Sequence, residues 1–199
     1  TSDLRDGPAY DDKVRDDLLD LVGDEAERLD RLVANLLSLS RVETGSLEPE
    51  PQALPLDELL TIRVRKMNRV LRDVRVQVDV PFTLPLAEGD YTLVDQVVTN
   101  LLENASRHSP AGGNVRVRAR ERGGWIEVSV SDQGPGVDPS DCDRIFEPFS
   151  RGKGSASSGV GLAICKAIVE AHGGSIAVQG ADDSAGTGAT FVFTLPAHR

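Results

Sequence analysis

The chain has 199 residues, 39% hydrophobic and 27% charged, which suits one ordinary folded domain with a helical appendage, or two small domains, and excludes a disordered chain. A formal net charge of −10 excludes the basic face that general nucleic-acid binding requires, and no apolar run reaches the ~18 residues that cross a bilayer. Cys142 and Cys165 lie far apart without a metal or redox spacing, as expected of reduced thiols in a cytoplasmic protein with no signal peptide.

Residues 11–43 read as one long helix. Val22, Ala26, Leu29, Val33 and Leu36 recur at alternating spacings of four and three, the pattern of a coiled-coil seam. Leu18, Leu19, Leu32 and Leu37 widen the stripe, and Glu27 with Arg31 makes an i,i+4 pair on the outer face. Gly23 costs the helix about 1 kcal/mol relative to alanine, which packing of the stripe has to offset. No second helix of equal length follows, so the Val22–Leu36 seam is expected to meet another segment or a second copy, as in a homodimer. Glu48-Pro49-Glu50-Pro51 then marks a stiff linker, because proline ends a helix and cannot join a sheet interior. The chain is thus expected to divide into a helical region at 1–46, a linker at 47–53 and a main domain at 54–199.

In the main domain, residues 55–71 read as a helix with Asp57 and Glu58 in its first turn. Val74, Val76, Val78 and Val80 alternate as in a half-buried strand, and 92–107 read as a helix. Val115, Val117 and Ala119, then Ile126, Val128 and Val130, mark two further strands. A helix over 159–172 and strands over 175–179 and 189–195 complete the domain. Helices among mostly hairpin-linked strands predict an α/β sandwich, a mixed sheet with helices on one face.

Four short patches carry chemistry. Asn100-Leu101-Leu102-Glu103-Asn104-Ala105 lies within a helix, and Asn100 and Asn104, at i,i+4, share one face. Amide oxygens suit a Mg²⁺ ion that keeps waters and phosphate oxygens; the pair equally suits a solvated helix face. Asp132-Gln133-Gly134-Pro135-Gly136 follows a strand, where a carboxylate can accept from an amine and glycines admit a flat ring; alone, it is also an ordinary turn. Residues 150–161 form a Gly/Ser loop with Arg151 and Lys153 running into a helix N-terminus, which suits phosphates or a flexible linker. No Gly-Lys-Ser/Thr makes it a P-loop. Gly186-Thr187-Gly188-Ala189-Thr190 precedes the last strand and by itself reads as a hairpin turn.

In this order and at these separations the patches resemble the N, G1, G2 and G3 boxes of sensor histidine kinases, with Phe146-Glu147-Pro148-Phe149 where that family has its F box. The resemblance spans about 11–196 and includes Leu39-Ser40-Arg41-Val42-Glu43-Thr44-Gly45; the N box and 159–168 look most like KdpD-type potassium-sensor kinases. It implies the Bergerat sandwich shared with gyrase B, Hsp90 and MutL, and the cofactors ATP and Mg²⁺. Asn104 would be the main Mg²⁺ ligand, assisted by Asn100, with Arg107 and His108 near the phosphates and nucleotide. Asp132 would take the adenine amine in a pocket shaped by Gly134 and Gly136. Residues 150–158, with Arg151 and Lys153, would be the ATP lid, and Gly159, Gly161 and Leu162 its phosphate-side root. Gly186, Gly188 and Thr190 would line the far side of the adenine.

Where the ATPase relatives carry a glutamate that activates water, this chain has Asn100, and an amide is no general base. Glu103 lies about 100° around the helix from Asn104 and is a poor candidate for that role. The resemblance therefore implies transfer of the γ-phosphoryl group to a histidine, followed by a response regulator. By the same resemblance 1–46 is the second helix of a dimerisation and phosphotransfer hairpin. None of His108, His172 and His198 stands in an acceptor motif. The acceptor helix is expected elsewhere in a full-length, membrane-anchored kinase of which this is the cytoplasmic part. His172 is expected to be structural, its positive charge favoured near a helix C-terminus. The rival readings are a serine kinase of the anti-sigma type and a non-catalytic interaction module.

Overall fold

The computed structural model describes residues 12–44, 46–150, 159–180 and 187–198. Helix α1 (Asp12–Glu43) is the long helix of the seam. Val22, Leu29, Val33 and Leu37 are each at least half exposed on it, so the other described residues do not cover these positions. The Glu27–Arg31 pair and the side chains of Leu32 and Leu36 lie outside the described residues. Ser38 is one point of attachment. It is buried, its hydroxyl donates to Gln96 Oε1 at 3.1 Å, and Gln96 Nε2 donates to Asn35 Oδ1 at 3.3 Å.

The stretch read as a linker holds part of a strand. β1 (Gln52–Leu54) pairs antiparallel with β3 (Ala87–Gly89), and Leu54 enters the core. Three residues between Pro51 and Pro55 are too few to show an alternation, and prolines at both ends suit a short edge strand. Helix α2 (Leu56–Lys66) is shorter than its apolar spacing implied. Beyond it Met67, Leu71 and Val74 stay buried at helical intervals, but the backbone between them runs through turns. Burial periodicity survives there although the helix does not. β2 (Arg75–Asp79) follows, then α3 (Tyr91–His108), β4 (Asn114–Arg122), β5 (Trp125–Ser131), short 3-10 turns at Pro139–Asp141 and Arg144–Phe146, α4 (Gly161–Ala171), β6 (Ile176–Gly180) and β7 (Ala189–Pro196).

The five-stranded sheet has the order β2-β4-β5-β7-β6, with β2 parallel to β4 and the other pairs antiparallel. One face is sealed: Val115, Val117, Ala119, Ile126, Val128, Val130, Phe191, Phe193 and Leu195 are all buried. Their alternates, such as Arg116, Glu127 and Thr194, are partly exposed on the other face. Leu101, Leu102 and Ala105 of α3 and Ile164, Cys165 and Ile168 of α4 fill the same core. This is the expected α/β sandwich. An ion pair between Arg63 and Asp95 ties α2 to α3.

His172, expected as a charge at a helix end, is instead a neutral bridge. Nδ1–H donates to Ile168 O at 2.7 Å, and Nε2 accepts from the backbone N–H of Asp90 at 2.9 Å. A ring nitrogen that accepts carries no proton, so the bonds select one neutral tautomer. Asp90 in turn caps α3, its Oδ1 accepting from the N–H groups of Thr92 and Leu93.

Candidate functional site

The site begins where β5 ends. Ser131 pairs with Thr190 across the sheet, and the Thr190 hydroxyl donates to Ser131 Oγ at 3.0 Å, both residues being buried. Asp132 follows, 6% exposed. Its Oδ1 accepts from the N–H of Gly134 at 2.8 Å and from the N–H of Ala189 at 3.2 Å. Among the described residues Oδ2 receives no hydrogen bond. Burial raises the Asp132 carboxyl above its ordinary range, against the lowering effect of the two N–H groups and of charge on His108. One oxygen is thereby fixed and the other is left for a donor.

Backbone closes tightly on this aspartate. A Cβ at Gly134 would stand 2.6 Å from His108 O, and one at Gly188, where φ is 134°, would stand 2.1 Å from Asp132 O. No side chain fits either position. Gly136 packs against the Gly188 carbonyl, so the 132–136 turn and the 188–190 segment, more than fifty residues apart in sequence, form one wall. Gln133 stabilises the turn from behind: its Oε1 accepts from Asn114 N at 2.8 Å.

Helix α3 supplies the second wall. Asn100 and Asn104 are half-buried, one turn apart, and Arg107 and His108 are exposed in the last turn. Asn100 Nδ2 donates to Gly161 O at 3.4 Å, joining α3 to the first residue of α4. Gly159 has φ 72°, Val160 is buried, and Leu162 is partly buried against the core. Cys165 sits one turn below Gly161, fully buried, with its thiol pushed up to about 12 by burial, so it stays protonated. Phe146 is buried edge-on against Phe191 at 6.4 Å, whereas Phe149 is exposed with φ 63°. Arg151, Lys153 and Gly186 lie outside the described residues.

Asn100, Asn104, Asp132, Gly134, Gly136, Gly161, Gly188 and Thr190 therefore come from the four places that the spacing singled out. Sequence reasoning missed Ser131, Gln133 and Cys165. Their contacts run to residues 19 to 68 positions away, and no local pattern announces them. Asn100 and Asn104 offer amide oxygens one helical turn apart, a donor type compatible with magnesium. No cluster of three or more His, Cys, Asp or Glu side chains occurs among the described residues, so a cation here would draw on amide oxygens, phosphate and water.

Residues 89–199 match the model of the histidine kinase-, DNA gyrase B- and HSP90-like ATPase family. The chain is 38% identical over 183 residues to the alginate biosynthesis sensor protein KinB of Pseudomonas aeruginosa, covering 90% of this chain and 30% of KinB. It is 31% identical over 198 residues to the sensor protein KdpD of Clostridium acetobutylicum, covering 97% of this chain and 22% of KdpD. KdpD is thus one of several kinds of relative. Among solved structures, full-length ShkA in complex with AMPPNP superimposes with a TM-score of 0.75 at 28% identity, covering 88% of this chain and 37% of ShkA. The chain spans less than a third of the length of the two curated relatives. The glycine-walled aspartate, the asparagine helix and these likenesses agree: the chain belongs to the histidine kinase-, DNA gyrase B- and HSP90-like ATPase family, as an ATP-binding catalytic domain of the sensor histidine kinase kind.

Proposed function

We propose that this chain binds ATP between α3, the 132–136 turn and the start of α4, and that in its parent protein it delivers the γ-phosphoryl group to a histidine. The buried Asp132 carboxylate carries this reading. With Oδ1 held by two backbone N–H groups, the carboxylate is positioned to accept from the exocyclic amine of adenine. Gly134, Gly136 and Gly188 leave the wall flat enough for a ring. Asn104 and Asn100 would hold Mg²⁺, which when bound neutralises phosphate charge. Arg107 and His108 stand at the same end of α3, where the Arg107 guanidinium adds positive charge and His108 an imidazole. Arg151 and Lys153 would do so from the lid.

The nucleophile is an imidazole nitrogen, which forms an N–P bond to the γ-phosphorus as the bond to the ADP oxygen breaks. Asn100 cannot deprotonate water, so transfer is favoured over hydrolysis. The ring of His172 is engaged through both nitrogens and is a poor acceptor. We assign the acceptor to a hairpin helix that packs on the exposed stripe of α1, with the Val22–Leu36 seam forming a homodimer and a response regulator receiving the phosphoryl group. The site would face the cytoplasm; no helix among the described residues is long and apolar enough to cross a membrane.

The test is calorimetric titration of the 199-residue chain with a non-hydrolysable ATP analogue, with and without Mg²⁺, followed by transfer of labelled phosphate to a separately supplied acceptor hairpin. Micromolar binding and an acid-labile, base-stable phosphoprotein are expected. Absence of nucleotide binding would overturn the reading.

A further inference from the structure

The net charge of −10 averages over an uneven surface, and one face of the sheet departs from it. Residues two apart on a strand point to the same side. Val115, Val117 and Ala119 are sealed in the core, so Arg116, Arg118, Arg120 and Arg122 of β4 line the open side, and the parallel register adds Arg75 of β2. Across the five strands the carboxylates on this side are Asp79 and Glu127. Asp79 is shared, at 3.6 Å from Arg118 and 2.6 Å from Arg120, so positive charge stays in excess. The acidic helix α1 joins from behind, through Gln96 of α3, with the helix layer between it and this face.

Two aromatic side chains stand at one end of the same sheet. β2 and β4 run parallel, so the chain leaves β2 at the end where β4 turns into β5. There Trp125 lies in register with Arg122, 39% exposed. Leu86 O accepts from His198 N and Gly124 O from Ala197 N, which ties the loop after β2 to that hairpin. Within the loop, Leu84 N donates to Pro81 O at 3.0 Å, and Leu84 packs against the core. The turn so anchored holds Phe82 fully out in solvent. A ring left in water contributes nothing to the fold, whereas in an apolar phase it contributes the transfer energy of its surface.

We propose that this end of the open face binds an anionic lipid surface: Arg120 and Arg122 meet lipid phosphates while Phe82 and Trp125 enter the boundary between headgroups and acyl chains. Arginine forks match phosphate oxygens, and tryptophan favours that boundary because its ring is apolar and its N–H donates. An acidic protein or a nucleic acid would engage the arginines and leave Phe82 in water. Asp132 lies beyond the far end of β5, seven residues away at about 3.4 Å each, so lipid and nucleotide can be held together.

The experiment mixes the 199-residue chain with vesicles of phosphatidylcholine alone and of equal parts phosphatidylcholine and phosphatidylglycerol. Sedimentation measures binding, and emission from Trp125, the single tryptophan, reads this face alone. Binding to the anionic vesicles only, weakened by salt and accompanied by a blue shift, is expected. Arg122→Glu and Phe82→Ser should each weaken it about tenfold. Both positions are exposed, and thermal melting checks that each variant folds. No binding to the anionic vesicles, equal binding to the neutral ones, an unshifted Trp125, or either variant binding like the parent overturns the proposal. So does retention on polyglutamate or duplex DNA without binding to vesicles, which gives the face to an acidic macromolecule.

Discussion

Replacing Asp132 by asparagine should weaken nucleotide binding and stabilise the fold at once. The amide keeps an oxygen where Oδ1 now accepts from Gly134 and Ala189, so the turn stays closed. At the other end a carboxylate oxygen becomes an NH₂ group, which opposes the adenine amine donor to donor. Loss of a charge-assisted hydrogen bond costs about 1.5–3 kcal/mol, or roughly 10- to 150-fold in Kd. Stability moves the other way. Burial raises the Asp132 carboxyl in the folded state above its ordinary value of 3.8, so the folded protein holds that proton more tightly than the unfolded chain. Above the raised value the carboxylate is ionised in both states, and the folded state bears the whole cost of burying it. That cost fades as pH falls through the raised value and is gone below 3.8, where both states are protonated. Asp132→Asn should therefore melt higher than the parent at neutral pH, and the gap should close on acidification. Calorimetry and thermal melts from about pH 4 to pH 8 test both halves. A variant that binds as tightly as the parent, or melts lower at neutral pH with its nucleotide affinity intact, refutes the reasoning.

Other substitutions probe separate parts of the molecule. Gly188→Ala places a Cβ 2.1 Å from Asp132 O at φ 134°; a loss of about 1–3 kcal/mol in denaturant titration, together with weaker nucleotide binding, is expected. His172→Phe leaves the Asp90 N–H without its acceptor at the start of α3, and should cost about 1–3 kcal/mol by the same measurement. Nucleotide affinity of the folded fraction should be unchanged, because the bridge lies at the opposite end of α3 from Arg107 and His108. Leu29→Glu with Val33→Glu changes side chains that are more than half exposed. The melting temperature of the catalytic domain should stay within a few degrees, and sedimentation should show any self-association lost. A fall in stability with no change in mass would place the stripe inside the monomer instead.

Much of the fold was legible in sequence because its elements are set by local periodicity. Alternation in Val115, Val117 and Ala119, and again in Ile126, Val128 and Val130, reports a sheet with one sealed face whatever its partners are. The site residues were legible for a similar reason. Short stretches of special chemistry, an asparagine pair on a helix and an aspartate before glycines, stand in a fixed order along the chain. Periodicity misled where burial and backbone parted company: past Lys66 the spacing of Met67, Leu71 and Val74 continued through turns. It was silent at β1, where three residues are too few to alternate.

What the sequence alone determined is thus the class of fold and the residues proposed to meet ATP. The tertiary structure decided how those residues are held. That the Asp132 carboxylate is fixed by Ala189, that Gly188 presses on Asp132 O, and that Asn100 meets Gly161 are contacts across 56 to 61 positions. The charge state of His172 was decided there too, by an N–H from Asp90 some 82 residues away. Such contacts depend on which strand ends and helix faces meet when the sheet assembles in the order β2-β4-β5-β7-β6, and no local pattern encodes that meeting.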